Sequence, residues 1–209
     1  MTTRRTFKRE GEEARRAALI DATLDCIAAG GPQAATVRAI AVKAGVTPGL
    51  IKHYFDSKED LVAAAHETLM TRLTEASAAS LDDLPADPLA RLAGFVANAV
   101  TPPVVDPRAM ALWAASMQLV PRDAAMRAVH ERTYLAFRNR LEAMIADAMR
   151  ETGKPCDQAT TRSLAIAGNA LLDGLWIEAS VLPDQFATGE MRSLAIRAFG
   201  RLLDLNLPE

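Results

Sequence analysis

The chain has 209 residues, half of them hydrophobic and 5% aromatic, enough for one compact domain or for a small domain joined to a larger one. It is rich in alanine and poor in alternating stretches of Val, Ile and Thr, so helices are expected and strands are not. No apolar run approaches the roughly 20 residues that span a bilayer, and no hydrophobic segment follows the basic start Met1–Arg9, so no secretory leader is expected. The net charge of −2 hides an asymmetry, because residues 1–55 carry +4 and the remainder −6. A positive head on a negative body is a distribution that orients a protein on a polyanion.

In chain order, Glu12 to Ala29 reads as an amphipathic helix with Ala18, Ile20, Ala22, Leu24, Ile27 and Ala28 on its apolar side, ended by Gly30-Gly31-Pro32. Thr36 caps a short helix, Val37–Ala44, which Gly45 stops. Thr47 caps a third, with Pro48 at the first helical position, where a missing N–H costs nothing, running to about His53. Ser57, with Asp60 three residues on, opens a longer helix toward Ser80 in capping-box spacing. After an acidic loop, Asp87-Pro88 and Asp106-Pro107 open helices over about 88–101 and 107–119. Pro121 begins a long helix to about Thr152, Asp157 starts another to Val181, and a last one covers 188–205. The fold class is therefore all-α: a three-helix helix-turn-helix domain over 1–55 and a larger helical bundle over 56–209. Cys26 and Cys156 show no paired spacing and are expected to be reduced thiols of a cytoplasmic protein.

The functional information concentrates in Thr36–Leu61, TVRAIAVKAGVTPGLIKHYFDSKEDL. Two short helices flank the turn Ala44-Gly45-Val46-Thr47, in which glycine supplies the unusual backbone angle and Val46 turns into the junction. Ile40 and Ala41 are expected to pack against Leu50 and Ile51, which leaves Thr47, Pro48, Gly49, Lys52 and His53 on the opposite, outward side. Such a helix fits a major groove about 12 Å wide. Thr47 and Lys52 offer donors to phosphates or base edges, Pro48 and the Thr47 methyl offer apolar contact with thymine methyls, and Gly49 permits close approach. His53, the Tyr54 hydroxyl, Thr36, Arg38 and Lys58 are candidates for phosphates. The basic arm Arg4, Arg5, Lys8 and Arg9 is a candidate for the minor groove.

This segment, with the helix before it, resembles the DNA-binding domain of tetracycline-repressor-type (TetR-family) regulators. The residues that carry the resemblance are Ala41, Ala44-Gly45-Val46-Thr47, Gly49, Tyr54-Phe55 and Lys58-Glu59-Asp60-Leu61, and it covers residues 14–70. It implies a ligand-responsive repressor of a palindromic operator, a homodimer paired through its last two helices as a four-helix bundle, and an effector pocket in the second domain. Further along, Leu112–Met117 and Leu172–Trp176 are similar to the choline-responsive, betaine-pathway (Bet-type) branch, which implies a quaternary or other amine as effector. An indole face attracts a desolvated cation by about 2 kcal/mol, so Trp113, Met117, Tyr134, Asp173 and Trp176 are the candidate effector residues. Tryptophan and methionine at helical spacing also fit a core or a dimer contact, and an unrelated hydrophobic effector stays open.

No enzyme is expected. His66-Glu67 lacks a second histidine at Met70, and His130-Glu131 meets Tyr134, so neither forms a zinc-hydrolase helix. No phosphate-cradling or nucleophile-elbow motif occurs, and no cofactor is implied. The rival class is a helical protein-interaction adaptor that never touches DNA.

Overall fold

The computed structural model describes residues 3–79, 81 and 86–208, with side chains from residue 11 onward apart from Pro183. Among the described residues nine α-helices and two single 3-10 turns occur, and no strand. The helices are α1 (Thr3–Gly30), α2 (Val37–Ala44), α3 (Pro48–Tyr54), α4 (Lys58–Ser77), α5 (Pro88–Ala99), α6 (Pro107–Met117), α7 (Ala124–Glu151), α8 (Gln158–Val181) and α9 (Glu190–Leu203).

Local chemistry explains most boundaries. The Asp87 carboxylate accepts the N–H groups of Leu89 and Ala90, and that of Asp157 accepts Thr160 N–H, each answering orphan donors of a first turn. The Ser57 hydroxyl donates to Asp60 Oδ2 at 2.7 Å and accepts Asp60 N–H at 3.0 Å, so the expected box closes. Two starts differ from the sequence reading. The backbone of α1 is helical from Thr3 rather than Glu12, so Arg4, Arg5, Lys8 and Arg9 lie on a helix, and their side chains fall outside the described residues. α7 starts at Ala124, not Pro121, because Asp123 accepts the Met126 N–H at 2.7 Å and thereby fixes the first turn.

The chain packs into two compact units. They interleave along the chain, whereas the division read from sequence is a single cut after residue 55. The first unit holds the chain up to Leu69 together with Ala111–Glu131. Its buried residues include Leu19, Leu24 and Ile27 of α1, Ile40 of α2, Ile51 of α3 and Leu61 of α4. The second unit holds Met70–Met110 and Arg132 onward. Its core gathers Phe95, Phe137, Leu141, Ile145, Leu172 and Phe199, and α9 packs against both α5 and α8.

α8 is long and apolar enough, by length and composition, to cross a membrane. Its inward face is that of a core helix, with Ala165, Gly168, Asn169, Leu172 and Trp176 buried in the second unit. At Gly168 an added Cβ would lie 2.8 and 2.9 Å from the Phe199 ring, and that ring is fully buried and has no room to retreat. Gly168→Ala gains up to about 1 kcal/mol of helix propensity but overpacks the core by about 1–3 kcal/mol. The expected result is a net loss of stability, read as a lower urea midpoint with an unchanged slope.

Candidate nucleic-acid interface and effector site

The helix-turn-helix is built by three local devices. Thr36 caps α2, its hydroxyl accepting Ala39 N–H at 3.1 Å. Gly45 adopts φ 67°, ψ 33°, the left-handed conformation that a residue with a Cβ resists. The turn then closes with Val46 N–H donating to the Ala41 carbonyl at 2.9 Å. From that corner α3 leaves with Ile51 buried, Leu50 half-buried, and Pro48, Gly49, Lys52 and His53 exposed.

The structure places the expected contact residues of the first unit as follows. Thr36, Arg38 and Thr47 are exposed, and Thr47 makes no side-chain cap bond, which leaves its hydroxyl available. A Cβ added at Gly49 would meet nothing within 4 Å, so the helix surface there is open to an incoming duplex. Tyr54 is half-buried with its ring edge-on to His53 at 5.2 Å. Lys58 is half-buried and pairs with Glu59 at 3.6 Å. Phe55 is a core residue, and the Arg16 guanidinium sits 5.0 Å over its ring, a cation–π contact joining α1 to the end of α3. Val42, one turn beyond Arg38 on α2, is also exposed, and sequence reasoning had given it no part in the surface.

Outward polar residues on a glycine-tolerant corner, over a sealed three-helix core, make the first unit a DNA-reading head. Comparison with known proteins decides which kind. Residues 19–65 match the family described as bacterial regulatory proteins, tetR family, and residues 88–204 match the C-terminal domain of the BetI-type transcriptional repressors. The chain belongs to the TetR family, in its BetI-type branch. It is a DNA-binding transcriptional regulator. It is 30% identical over 202 residues to the HTH-type transcriptional regulator BetI of Paraburkholderia phymatum, covering 94% of this chain and 95% of that one. It is 33% identical to BetI of Pseudomonas aeruginosa, covering 87% and 89%. Among solved structures, a putative transcriptional regulator from P. aeruginosa PAO1 superposes with a TM-score of 0.80 at 31% identity, covering 92% of this chain and 89% of that one. A putative regulator from Saccharomonospora viridis in complex with choline shares the fold, with a TM-score of 0.71 at 22% identity, covering 90% and 96%.

The five expected effector residues of this TetR regulator do not all fall in one unit. Trp113 and Met117 belong to the first; Tyr134, Asp173 and Trp176 belong to the second. In the second unit Tyr134 and Asp173 meet directly: the Tyr134 hydroxyl donates to Asp173 Oδ2 at 2.8 Å. Asn169, which sequence reasoning missed, donates its amide to the same Oδ2 at 3.0 Å and to the Tyr134 oxygen. Its signal was its place four residues before Asp173 on the same helix face. Trp176 is a buried anchor, its indole N–H donating to the Ala99 carbonyl at 2.8 Å and its ring edge-on to Phe137 at 6.3 Å.

Burial pushes the Asp173 carboxyl above the usual carboxylate range, against the opposing pull of the Tyr134 hydrogen bond. Burial and the same bond push the Tyr134 phenol up. Asp173 makes no ion pair among the described residues. It is a carboxylate held by two neutral donors through one oxygen, and the charge of Arg138 reaches the pair at Tyr134.

Proposed function

We propose that this chain is a repressor that binds a palindromic operator as a homodimer and lets go when a small quaternary amine occupies its effector region. Residues 1–55 read the DNA; residues 56–209 bind the effector and dimerise. Thr36, Arg38, Thr47, Pro48, Gly49, Lys52, His53, Tyr54 and Lys58 form the DNA surface. Within the second unit Tyr134 and Asp173, with Asn169 added, form the polar end of the effector site, and Trp176 forms an apolar wall.

The observation that carries the amine reading is the part-buried carboxylate of Asp173, which makes no ion pair among the described residues. A partly desolvated anion already held by two neutral donors gains most from a cation that brings charge without adding N–H groups to satisfy, and a quaternary ammonium is such a cation. The BetI names of the relatives and the choline bound by the S. viridis neighbour support the same chemistry. Dimerisation draws support from α8 and α9. Ile166, Ile177 and Val181 of α8 and Leu194 of α9 are large apolar side chains left exposed on one chain, and such patches mark interfaces.

Calorimetric titration with choline and with betaine aldehyde tests the effector. Asp173→Asn is expected to weaken amine binding at least about tenfold while leaving operator binding intact. A bound cation favours the ionised carboxylate, so binding at Asp173 releases protons, and affinity falls as pH drops through the raised pKa of that group. No heat with either compound, alongside intact operator binding, discards the amine and keeps the regulator.

A further inference from the structure

The first unit contains a second built feature that DNA contact does not use. On α4, Val62 and His66 are one turn apart; on α7, Met126 and His130 are spaced the same way. Val62 and Met126, with Pro32, Gln33, Lys58, Glu59, Leu119 and Asp123, border a cavity of about 100 Å³. One turn beyond it on each helix, the two imidazoles stack with centroids 5.4 Å apart and share a hydrogen bond, His66 Nε2 to His130 Nδ1, at 3.2 Å. His66 is 2% exposed, and its Nδ1 has no partner. We propose that the His66–His130 hydrogen bond is a proton-sensitive latch that holds α4 on α7 in the operator-binding arrangement, with the cavity beside it giving α4 room to move when the latch opens.

The argument is one of proton counting. Buried N–H groups without an acceptor are rarer in folded proteins than acceptors without a donor, so the favoured arrangement has His66 donating through Nε2 while its Nδ1 stays unprotonated. A further proton on His130 must go to Nδ1, where it faces the His66 Nε2–H. If His66 shifts its own proton to accept that donor, it buries an unanswered Nδ1–H. Either outcome breaks or penalises the contact, so the latch requires both rings neutral. Burial, reinforced by His130, pushes the His66 pKa down to about 4, and burial lowers that of His130. The charged residues near the pair on its own helices are Glu59 and Glu67 on α4, Asp123 capping the start of α7, and Arg127 and Glu131 on α7; none of them shifts either ring, and only the other imidazole acts on His66. Only three residues separate the end of α3 from the start of α4, so the position of α4 is felt directly at the reading head. The latch does not depend on which effector is bound.

The chain has three histidines, and His53 lies on the DNA surface, so the test is done in a His53→Gln background. Operator affinity is measured by fluorescence anisotropy between pH 7.5 and 5.0, on a duplex selected for binding at pH 7.5. Affinity is expected to fall at least about tenfold with acidification in His53→Gln. Asparagine places an amide oxygen where His130 Nδ1 accepts, and it does not titrate. Measured against His53→Gln, whatever affinity that background has lost, the added His130→Asn change is therefore expected to alter the pH 7.5 affinity by no more than about threefold and to remove the pH response. A depressed His66 pKa means the unfolded chain takes up more protons between about pH 6.5 and pH 4, so folding stability falls across that window. Circular dichroism at each pH identifies the folded range, and affinities are compared within it. A fall that persists unchanged in the double variant, or a flat profile in His53→Gln alone, overturns the latch.

Discussion

Gly49→Glu is expected to abolish operator binding, lowering affinity at least about 100-fold, while the protein melts no earlier than the parent. The two halves of this result have separate causes. Gly49 lies in the first turn of α3, and a Cβ there meets no other atom within 4 Å. No packing is disturbed, a side chain in place of glycine gains about 0.5–1 kcal/mol of helix stability, and an acid near a helix N-terminus adds a little more. The same open space is where a duplex must come close. A glutamate there holds the helix off the base edges and points a carboxylate at a polyanion whose charge supplies much of the affinity. Gly49→Ala separates size from charge: it is expected to stabilise similarly and to cost DNA binding far less. Anisotropy at fixed salt with a thermal melt on the same samples reads both quantities. Gly49→Glu binding within threefold of the parent would mean that α3 does not enter the groove.

The reading head was legible in sequence because its devices are local. Thr36 answers an N–H three residues away, Gly45 occupies a left-handed corner, and Ser57 and Asp60 close a box within one turn. Each needs only the residue type and the spacing. The start of α7 was missed for a related reason: Pro121 and Asp123 are both start signals, and only the geometry shows that Asp123 makes the bond. Gly11, just before Glu12, weakens a helix reading at that point, yet α1 runs through it from Thr3.

What sequence could not supply is long-range pairing. Tyr134 and Asp173 are 39 residues apart and His66 and His130 are 64 apart, and no helical periodicity relates such positions. In sequence His66 and His130 each stand beside a glutamate, in zinc-ligand-like spacing, and their pairing with one another needs the fold. The Trp176 indole, read as an aromatic wall, also turned out to hold α8 to the end of α5 through the Ala99 carbonyl.

Ile177→Glu is expected to turn the proposed dimer into a monomer, weakening self-association at least about 1,000-fold and taking palindromic operator binding with it. Ile177 is 51% exposed in the single chain, so a polar replacement costs the protomer's own fold little. Along α8 the exposed positions Ile166, Ala167, Ala170, Gly174, Ile177 and Val181 form one stripe, and a Cβ at Gly174 would meet nothing within 4 Å. Small residues between larger ones let a second helix approach closely. A twofold interface uses the same patch on both copies, so a single substitution buries two carboxylates, and each unpaired buried charge costs several kcal/mol. Half-sites are read about 34–36 Å apart by linked heads, and a lone head keeps only the weak affinity of one half-site. Sedimentation at micromolar protein reads the mass, and a concentration-dependent melting temperature in the parent that is lost in Ile177→Glu reads the same linkage. Should Ile177→Glu sediment as a dimer, the stripe on α8 faces something other than a second copy, and the spacing of the two heads must be set elsewhere.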